Sequence, residues 1–208
     1  MPHAATTLFY VADPMCSWCW GFAPVLAALE PRLAPHVPVQ LVLGGLAPDD
    51  ETPMPDATRK YVQAAWEAVA ERTGARFNHD FWTRCVPRRS TWPACRAVLA
   101  AGHDGRAMFA AIQRAYYLEA RNPSDTATLI ELAGELGLDP DDFAGRLASA
   151  DTQRALERDF ALRDTLAVHS YPGLVASSDG ALRPVTRGWV DEATLTAALS
   201  AQGLLAPT

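Results

Sequence analysis

Two cysteines separated by two residues carry the clearest chemical signal in this sequence. The motif Cys16-Ser17-Trp18-Cys19 follows an apolar run at residues 8–11. A helix that begins at Cys16 would present unpaired backbone N–H groups and the positive end of its dipole to that sulfur. Both stabilise the thiolate, which is the reactive form of cysteine. We therefore expect Cys16 to attack a disulfide and the more deeply placed Cys19 to resolve the mixed disulfide.

The spacing of this motif alone leaves two other interpretations open, a zinc half-site and a pair of inert core cysteines. Its place between a predicted strand and a predicted helix favours redox chemistry. The other two cysteines, Cys85 and Cys95, have the wrong separation for a zinc knuckle, and we predict no metal site. Cys95 is expected to be a small buried residue on a helix, and Cys85 has no catalytic context.

The elements that must position the motif form a strand–helix–strand unit. Residues 8–11 predict a buried strand, residues 16–34 have helical spacing, and residues 37–43 alternate as a second strand. Pro24 lies in the early part of the helix and could kink it. Such a unit is the building block of a parallel sheet.

A long helical stretch separates this unit from the remaining strands. From residue 57 onward, apolar residues recur at helical spacing for about a hundred residues. The first of these helices has four residues on one face: Tyr61, Ala65, Trp66 and Val69. Residues 173–176 and 182–185 predict a hairpin, and a last helix begins after Asp191 and ends at Gly203. The predicted fold class is therefore α/β, in the order βαβ, helices, ββα.

Composition excludes several classes of function. The chain has 208 residues, 49% of them hydrophobic, with 18 basic and 24 acidic side chains and a net charge of −6. No local basic cluster is present, which argues against nucleic acid or an anionic membrane as a partner. The first seven residues lack a cationic signal region, and no apolar run approaches the ~18 residues of a membrane span. We therefore expect a cytoplasmic location, where thiols are kept reduced.

The segment from Asp13 to Phe22, with Phe9-Tyr10 before it, resembles the active-site segment of the DsbA-like thioredoxin-fold oxidoreductases. It is most similar to their cytoplasmic branch of predicted protein-disulfide isomerases, related to FrnE. Softer matches cover most of the chain: residues 44–46, Ser90-Thr91, residues 94–97, residues 111–117 and Tyr171-Pro172. The resemblance implies a thioredoxin-like fold with an inserted α-helical domain. Residues 1–50 and 168–208 would form the thioredoxin-like domain, and residues 51–167 the insertion.

The family carries a cis-proline that faces the dithiol, and the resemblance places it at Pro172. The family pattern usually has Phe before this proline and Ser or Thr after it. Tyr171 and Gly173 stand in those positions here, so a hydroxyl is missing and the turn is looser. By the same resemblance, we expect Tyr171 and Gly173 to bind substrate beside Pro172.

Two further residues near the motif have a functional and a structural interpretation each. Trp18 lies between the cysteines, where it either contacts an apolar substrate or packs over the two sulfurs. Asp13, three residues before Cys16, either relays a proton to or from Cys19 or simply forms the turn before Pro14.

Three functions compete for this site. The leading hypothesis is a thiol–disulfide oxidoreductase or isomerase that acts on protein or small-molecule disulfides, with no bound cofactor and with a thiol reductant such as glutathione as co-substrate. The second is a glutathione-dependent transferase or isomerase, similar to kappa-class glutathione transferases or 2-hydroxychromene-2-carboxylate isomerases. Those families keep Ser where Cys16 stands and lack the second cysteine, which argues against them. The third is a redox-sensitive binding protein that uses an apolar groove.

Overall fold

The computed structural model describes residues 6–206 and folds them into four strands and nine α-helices. The strands are β1 (Thr6–Ala12), β2 (Val39–Leu43), β3 (Gly173–Ser178) and β4 (Ala181–Arg187). The helices are α1 (Ser17–Leu29), α2 (Asp56–Thr73), α3 (Phe81–Arg84), α4 (Trp92–Ala100), α5 (Gly105–Tyr117), α6 (Thr126–Glu135), α7 (Pro140–Leu147), α8 (Ala150–Thr165) and α9 (Glu192–Ala201). Predictions that concern residues 1–5 and 207–208, including the start of the chain and the outer domain ends, lie outside the described residues.

The four strands form one mixed sheet in the order β2-β1-β3-β4. β1 pairs in parallel with β2, with Val11 opposite Val42. It pairs in antiparallel fashion with β3, with Tyr10 opposite Leu174, and β3 and β4 form the predicted hairpin. The α/β fold class and the order βαβ…ββα are confirmed. Because β1 is a central strand, its carboxyl end lies at the middle of the sheet edge, where ligand sites of such sheets are commonly built.

The first helix is shorter than the sequence predicts. α1 continues through Pro24 and ends at Leu29, and residues Glu30–Arg32 form a 3₁₀ turn. Pro31 lacks the N–H that would continue the α-helical hydrogen bonds, so the chain tightens into a 3₁₀ turn there instead of remaining α-helical to residue 34. β2 likewise begins at Val39 because Pro38 cannot donate a hydrogen bond to a neighbouring strand.

Seven helices, α2 to α8, lie between β2 and β3, in the place where the helical insertion is predicted. The division into two domains at residues 50 and 168 stays a prediction. The predicted face of α2 is wrong at one position, because Tyr61 is 68% exposed and the buried residues are Val62, Trp66 and Val69. Neighbouring positions on a helix differ by about 100°, so a one-residue error moves a side chain from core to solvent.

The core of the helical stretch is an aromatic cluster around Trp66. Five Phe, Tyr and Trp rings lie with centroids 4.9–5.8 Å from the Trp66 ring, and Trp66 itself is 1% exposed. These rings belong to Phe77, Phe81, Trp82, Tyr116 and Tyr117. Deleting such a ring from a packed core costs about 3–5 kcal/mol, so the cluster fixes α2 firmly in place. In the part of the chain that is described, no helix has the length and apolar character needed to span a membrane.

Candidate active site

The dithiol motif lies at the end of the central strand. β1 ends at Ala12, and Cys16 is the N-cap of α1, with φ −85° and ψ 116°. The Cys16 N–H donates to the Asp13 carbonyl at 3.1 Å, which closes the turn after β1. The Trp20 N–H donates to the Cys16 carbonyl at 3.1 Å, which opens the helix. Backbone hydrogen bonds on both sides therefore hold Cys16 at the first helical turn, as a free thiol.

The surroundings of Cys16 favour its thiolate. The largest influence is a hydrogen bond from the Cys19 thiol, which lowers the pKa of Cys16. Burial raises that pKa, the backbone N–H groups of Cys19 and Trp18 lower it, and the Asp13 carboxylate raises it; the net shift is downward. The Cys16 Sγ lies 3.8 Å from the Tyr171 carbonyl oxygen, and 7% of the residue is exposed. Of the two motif sulfurs, this is the one that a substrate can reach.

Cys19 is in the opposite condition. It is fully buried, and burial raises its pKa well above the ordinary value, with the hydrogen bond and charge of Cys16 adding to the rise. The buried Tyr10 side chain lies beside it, and the charge of a Cys19 thiolate would in turn raise the pKa of Tyr10. Cys19 is therefore held as a neutral thiol behind Cys16. This is the arrangement that the predicted division of roles requires.

Asp13 is buried beneath the motif with its carboxylate fully engaged. Oδ1 accepts the Met15 N–H at 2.8 Å, and Oδ2 accepts the Leu46 N–H and the Thr91 hydroxyl, both at 2.7 Å. The bond to Met15 is the turn-forming role that the sequence allows, and the other two tie the turn to distant segments. Burial raises the pKa of Asp13, although each of these hydrogen bonds lowers it. A carboxyl that gains a proton more readily than usual thus lies close enough to Cys19 for its charge to raise the pKa of that thiol.

The helical stretch supplies part of this hydrogen-bond network, and no motif in the sequence indicates that contribution. Thr91, directly before α4, donates to Asp13 and accepts the Ala47 N–H at 3.1 Å. Cys95, one turn further, has its Sγ 3.7 Å from Asp13 Oδ2 and is fully buried, as predicted. Thr91 is the N-cap of α4, yet its side chain makes no capping hydrogen bond, because its oxygen accepts the Ala47 N–H and its hydroxyl hydrogen is donated to Asp13.

The loop before β3 closes over the other side of Cys16. The Tyr171–Pro172 peptide bond is cis, as the family resemblance implies. The Tyr171 hydroxyl donates to the Gly44 carbonyl at 2.8 Å, and a Cβ at Gly44 would lie 2.4 Å from the Tyr171 ring. Gly173 is buried, and a Cβ there would lie 2.6 Å from a Val168 methyl group. Val168 therefore fills the space beside the position where the family usually carries a hydroxyl.

An open groove of about 300 Å³ runs past Cys16. Its walls are the motif, one face of α2 and loop residues that include Leu46, Arg89, His169 and Tyr171. Trp18 lines the groove and also packs against Trp189, with ring centroids 6.4 Å apart. Its contact with a substrate and its packing over the two sulfurs both stay predictions. Within the described residues, Pro172 and Gly173 do not line this groove.

Cys85 lies outside the site. It is half-buried, its thiol donates to the Ala120 carbonyl at 3.1 Å, and it lines a separate cavity in the helical stretch. Burial and the charge of Asp125 raise its pKa, which lowers its reactivity. Across residues 6–206, no group of three or more His, Cys, Asp or Glu side chains is arranged to hold a metal ion.

The fold and the dithiol turn define a known class of protein. The family model of the DSBA-like thioredoxin domain matches residues 7–199, so the chain belongs to that family. This confirms the resemblance inferred from the motif.

Particular relatives narrow the comparison further. A candidate protein disulfide isomerase from Nitrosomonas europaea is similar with a TM-score of 0.84 and 29% identity, over 94% of this chain and 96% of that chain. The cytosolic disulfide reductase DsbM from Pseudomonas aeruginosa is similar with a TM-score of 0.75 and 30% identity, over 94% of this chain and 98% of that chain, and has also been solved with GSH. The ClpXP adapter protein SpxH of Bacillus subtilis (strain 168) is 26% identical over 179 residues, which is 83% of this chain. The chain spans 58% of the length of the curated relatives that it matches.

Proposed function

We propose that this protein is a thiol–disulfide oxidoreductase that uses Cys16 and Cys19 on protein or small-molecule disulfides. The observation that carries the proposal is the contrast between the two sulfurs. Cys16 lines the groove, is 7% exposed and has a lowered pKa, whereas Cys19, one helical turn away, is fully buried and has a raised pKa. Two-step exchange needs one thiolate that attacks the substrate disulfide and a second thiol that then resolves the mixed disulfide.

The reaction follows from this placement. The Cys16 thiolate attacks one sulfur of a substrate disulfide, forms a mixed disulfide and expels the other half as a thiolate. Cys19 then loses its proton, for which the adjacent Asp13 carboxylate is the proposed acceptor, and attacks the Cys16 sulfur. The second half leaves as a thiolate, and the protein is left with a Cys16–Cys19 disulfide. Two electrons have passed to the substrate, and a thiol reductant such as glutathione must restore the dithiol.

We infer that the direction of this chemistry is reduction or isomerisation in the cytoplasm. The similarity to a reductase described as cytosolic supports this location, and a reducing compartment keeps the pair as a dithiol at rest. Neither Ser17 nor Trp18, the two residues between the cysteines, offers a cationic group to hold the thiolate. The centre should therefore be less oxidising than that of DsbA, whose reduced form is unusually stable.

The reduction potential of the Cys16–Cys19 pair tests the proposal. Equilibration against glutathione buffers should give a potential more negative than the roughly −120 mV of DsbA. Insulin reduction and refolding of a scrambled substrate should proceed in parallel assays with the wild-type protein. A protein with no exchange activity in either assay, or a potential at the DsbA value, would contradict the proposal.

The glutathione-transferase alternative predicts a different dependence on the second cysteine. A transferase needs only one activating side chain at position 16, so a Cys19→Ser variant should still conjugate glutathione to 1-chloro-2,4-dinitrobenzene. We expect no such turnover, because Cys19 here is placed to resolve a mixed disulfide. Turnover by that variant would favour the transferase.

Besides the oxidoreductase and the glutathione transferase, a binding role is a further candidate function, because the curated relatives are named as adapter proteins. An adapter binds its client through a surface and does not require thiol exchange. Its client complex would survive the double variant Cys16→Ser, Cys19→Ser. An oxidoreductase would lose its covalent complexes in the same variant, so a pull-down with and without reductant separates the two functions.

A further inference from the structure

The groove beside Cys16 has an unbalanced charge. Two of its lining residues are basic, Arg89 and His169, and within the described part of the chain no acidic side chain lines it. The chain as a whole carries 24 acidic against 18 basic residues, so composition alone does not predict a groove without acids. Tyr61 and Trp66 contribute aromatic walls, and such walls reduce the solvent screening of a nearby charge.

Arg89 has no ion-pair partner in the part of the chain that the structure describes, whereas Arg88 and Arg96, on either side of it in the chain, are both paired. Its neighbour Arg88 donates to Asp125 at 2.5 Å, and Arg96 donates to both carboxylate oxygens of Asp49 at 2.6 and 2.9 Å. Among residues 6–206, no carboxylate lies within ion-pair distance of the half-buried Arg89 guanidinium. A partly desolvated guanidinium without a counter-ion is electrostatically unfavourable unless a ligand supplies the negative charge.

The backbone on both sides of Arg89 is anchored. Arg88 forms an isolated β-bridge with Pro53, and the Ser90 hydroxyl oxygen accepts the Asp50 N–H at 3.2 Å. The base of the Arg89 side chain is therefore fixed at the wall of the groove. A guanidinium extending from this fixed backbone can bind both oxygens of a carboxylate with two parallel hydrogen bonds.

We propose that Arg89 is an anion-binding subsite that selects disulfides with a carboxylate near the bond attacked by Cys16. This deepens the proposed function and rests on it. The Cys16 sulfur forms a bond to the nearer substrate sulfur, the S–S bond breaks, and the distal half leaves with the electron pair and takes a proton from solvent. The carboxylate of the nearer half stays paired with Arg89 in the mixed disulfide.

The guanidinium is available for this role because it is not a main partner of the thiolate. The largest influences on the pKa of Cys16 are the hydrogen bond from the Cys19 thiol, its own burial, the Cys19 backbone N–H and the charge of Asp13. Removing the charge of Arg89 should therefore change the selection of substrates more than the reactivity of Cys16 itself.

Alkylation of Cys16 gives a test that needs no disulfide turnover. Iodoacetate and iodoacetamide have the same leaving group and differ in charge, so the ratio of their rate constants reports attraction of the anion. In low salt, Arg89→Gln should lower this ratio about 10-fold, which corresponds to about 1.4 kcal/mol. Arg89→Lys should lower it less, because it keeps the charge but loses the fork of donors. The control Arg84→Gln removes an exposed arginine that lines a different cavity and should leave the ratio unchanged.

Two aromatic disulfides extend the test to the proposed reaction. The dianionic 5,5′-dithiobis(2-nitrobenzoate) should oxidise reduced Arg89→Gln about 10-fold more slowly than wild type. The neutral 4,4′-dithiodipyridine should react with both proteins at rates within about twofold. An unchanged alkylation ratio, or equal slowing by all four reagents, would overturn the subsite. If neither disulfide reacts with wild type faster than with a free thiol, the oxidoreductase proposal is wrong, while the alkylation ratio still decides whether the anion subsite exists.

Discussion

Cys16 and Cys19 are chemically identical side chains, but the two sides of the dithiol turn on which they lie differ strongly in solvent exposure and in polar contacts. The open side is the groove, where Cys16 is 7% exposed and Arg89 lies at the wall. The sealed side is the buried network of Cys19, Asp13 and Thr91, each 2% exposed or less. Cys16 and Cys19 are only three positions apart in the chain, yet they lie on different sides of the turn. Under the proposed mechanism, this difference in environment gives the two sides different roles: the open side receives the substrate disulfide, and the sealed side accepts the proton that Cys19 loses.

The same helical stretch serves both sides. Arg89 and Thr91 are two residues apart on one short segment before α4, yet Arg89 lines the groove and Thr91 donates to Asp13. In an extended strand, residues two apart would lie on the same face, but Thr91 has φ −110° and ψ −14° at the start of α4. Because the segment is not extended at Thr91, it can reach both sides of the turn. The helical stretch therefore does more than cover the sheet, since it supplies a polar group to each side of the site.

The largest effect on mixed-disulfide trapping should come from replacing the cysteine of each side separately. Cys19→Ser should trap a mixed disulfide through Cys16 because no resolving thiol remains, whereas Cys16→Ser should trap almost nothing. Non-reducing electrophoresis with mass-spectrometric assignment of the linked cysteine measures this. Cys85→Ser, which changes a thiol outside the site, is the control and should behave as wild type. Equal trapping by both motif variants would remove the distinction between the open and sealed sides.

A smaller effect on the rate of exchange is expected from a substitution at Asp13, which alters the sealed side and leaves the groove unchanged. Asp13→Asn should slow resolution of the mixed disulfide by about 10²-fold, as loss of a general base commonly does. Because burial raises the pKa of Asp13, the wild-type rate should fall as the pH drops through that raised pKa, and the variant should lack this limb. Stopped-flow release of the second thiol across the pH range measures it. Parallel pH profiles for the two proteins would exclude Asp13 as the proton acceptor.

The raised pKa of Asp13 also determines how its contribution to the free energy of unfolding changes with pH. A carboxyl whose folded pKa lies above its unfolded pKa stabilises the fold fully below the unfolded value, and this contribution is lost as pH rises through the folded value. Urea unfolding of wild type and Asp13→Asn should therefore show wild type losing stability relative to the variant from acidic to neutral pH. Other titrating groups cancel in the difference. A difference that grows with pH in favour of wild type would contradict the assigned environment.

The smallest effect should come from Thr91, which acts through Asp13. Thr91→Val removes the 2.7 Å hydrogen bond to Oδ2 and should shift the pH profile of resolution upward, because Asp13 then holds its proton to higher pH. The rate near neutral pH should fall about 3- to 10-fold, in line with the loss of one buried hydrogen bond. Thr91→Ser keeps the hydroxyl and should restore the wild-type profile. A uniform loss of rate in both variants, without a shift of the profile, would indicate a structural role only.

What the sequence predicts well is what lies close together along the chain. Cys16, Cys19 and Asp13 share one turn, and the strand before them and the helix after them follow from local patterns. The family resemblance added the cis-proline at Pro172, which no local pattern gives. The division of labour between the two thiols was expected from the helix N-terminus, and their burial and pKa directions are the ones it requires.

What the sequence does not predict depends on contacts between distant segments. Thr91 lies 78 residues from Asp13, and Arg89 reaches the groove only because its loop is tied to the segment around Pro53. The short helix α3 was missed because four residues carry no periodic pattern. Tyr61 was placed on the wrong face because apolar character alone does not choose between adjacent positions of a helix that carries both Tyr61 and Val62.

The contact between Gly44 and Tyr171 limits how this sequence can drift over evolutionary time. The Tyr171 ring occupies the space that any side chain at position 44 would need, and its hydroxyl is bonded to the carbonyl of the same residue. A larger residue at position 44 becomes acceptable only if position 171 shrinks, and a smaller residue at position 171 leaves that carbonyl without its donor. The two positions, 127 residues apart, are thus bound to change together. The loop that carries Tyr171 and Pro172 and the residue that follows β2 should therefore co-vary, although the whole helical stretch separates them in the chain.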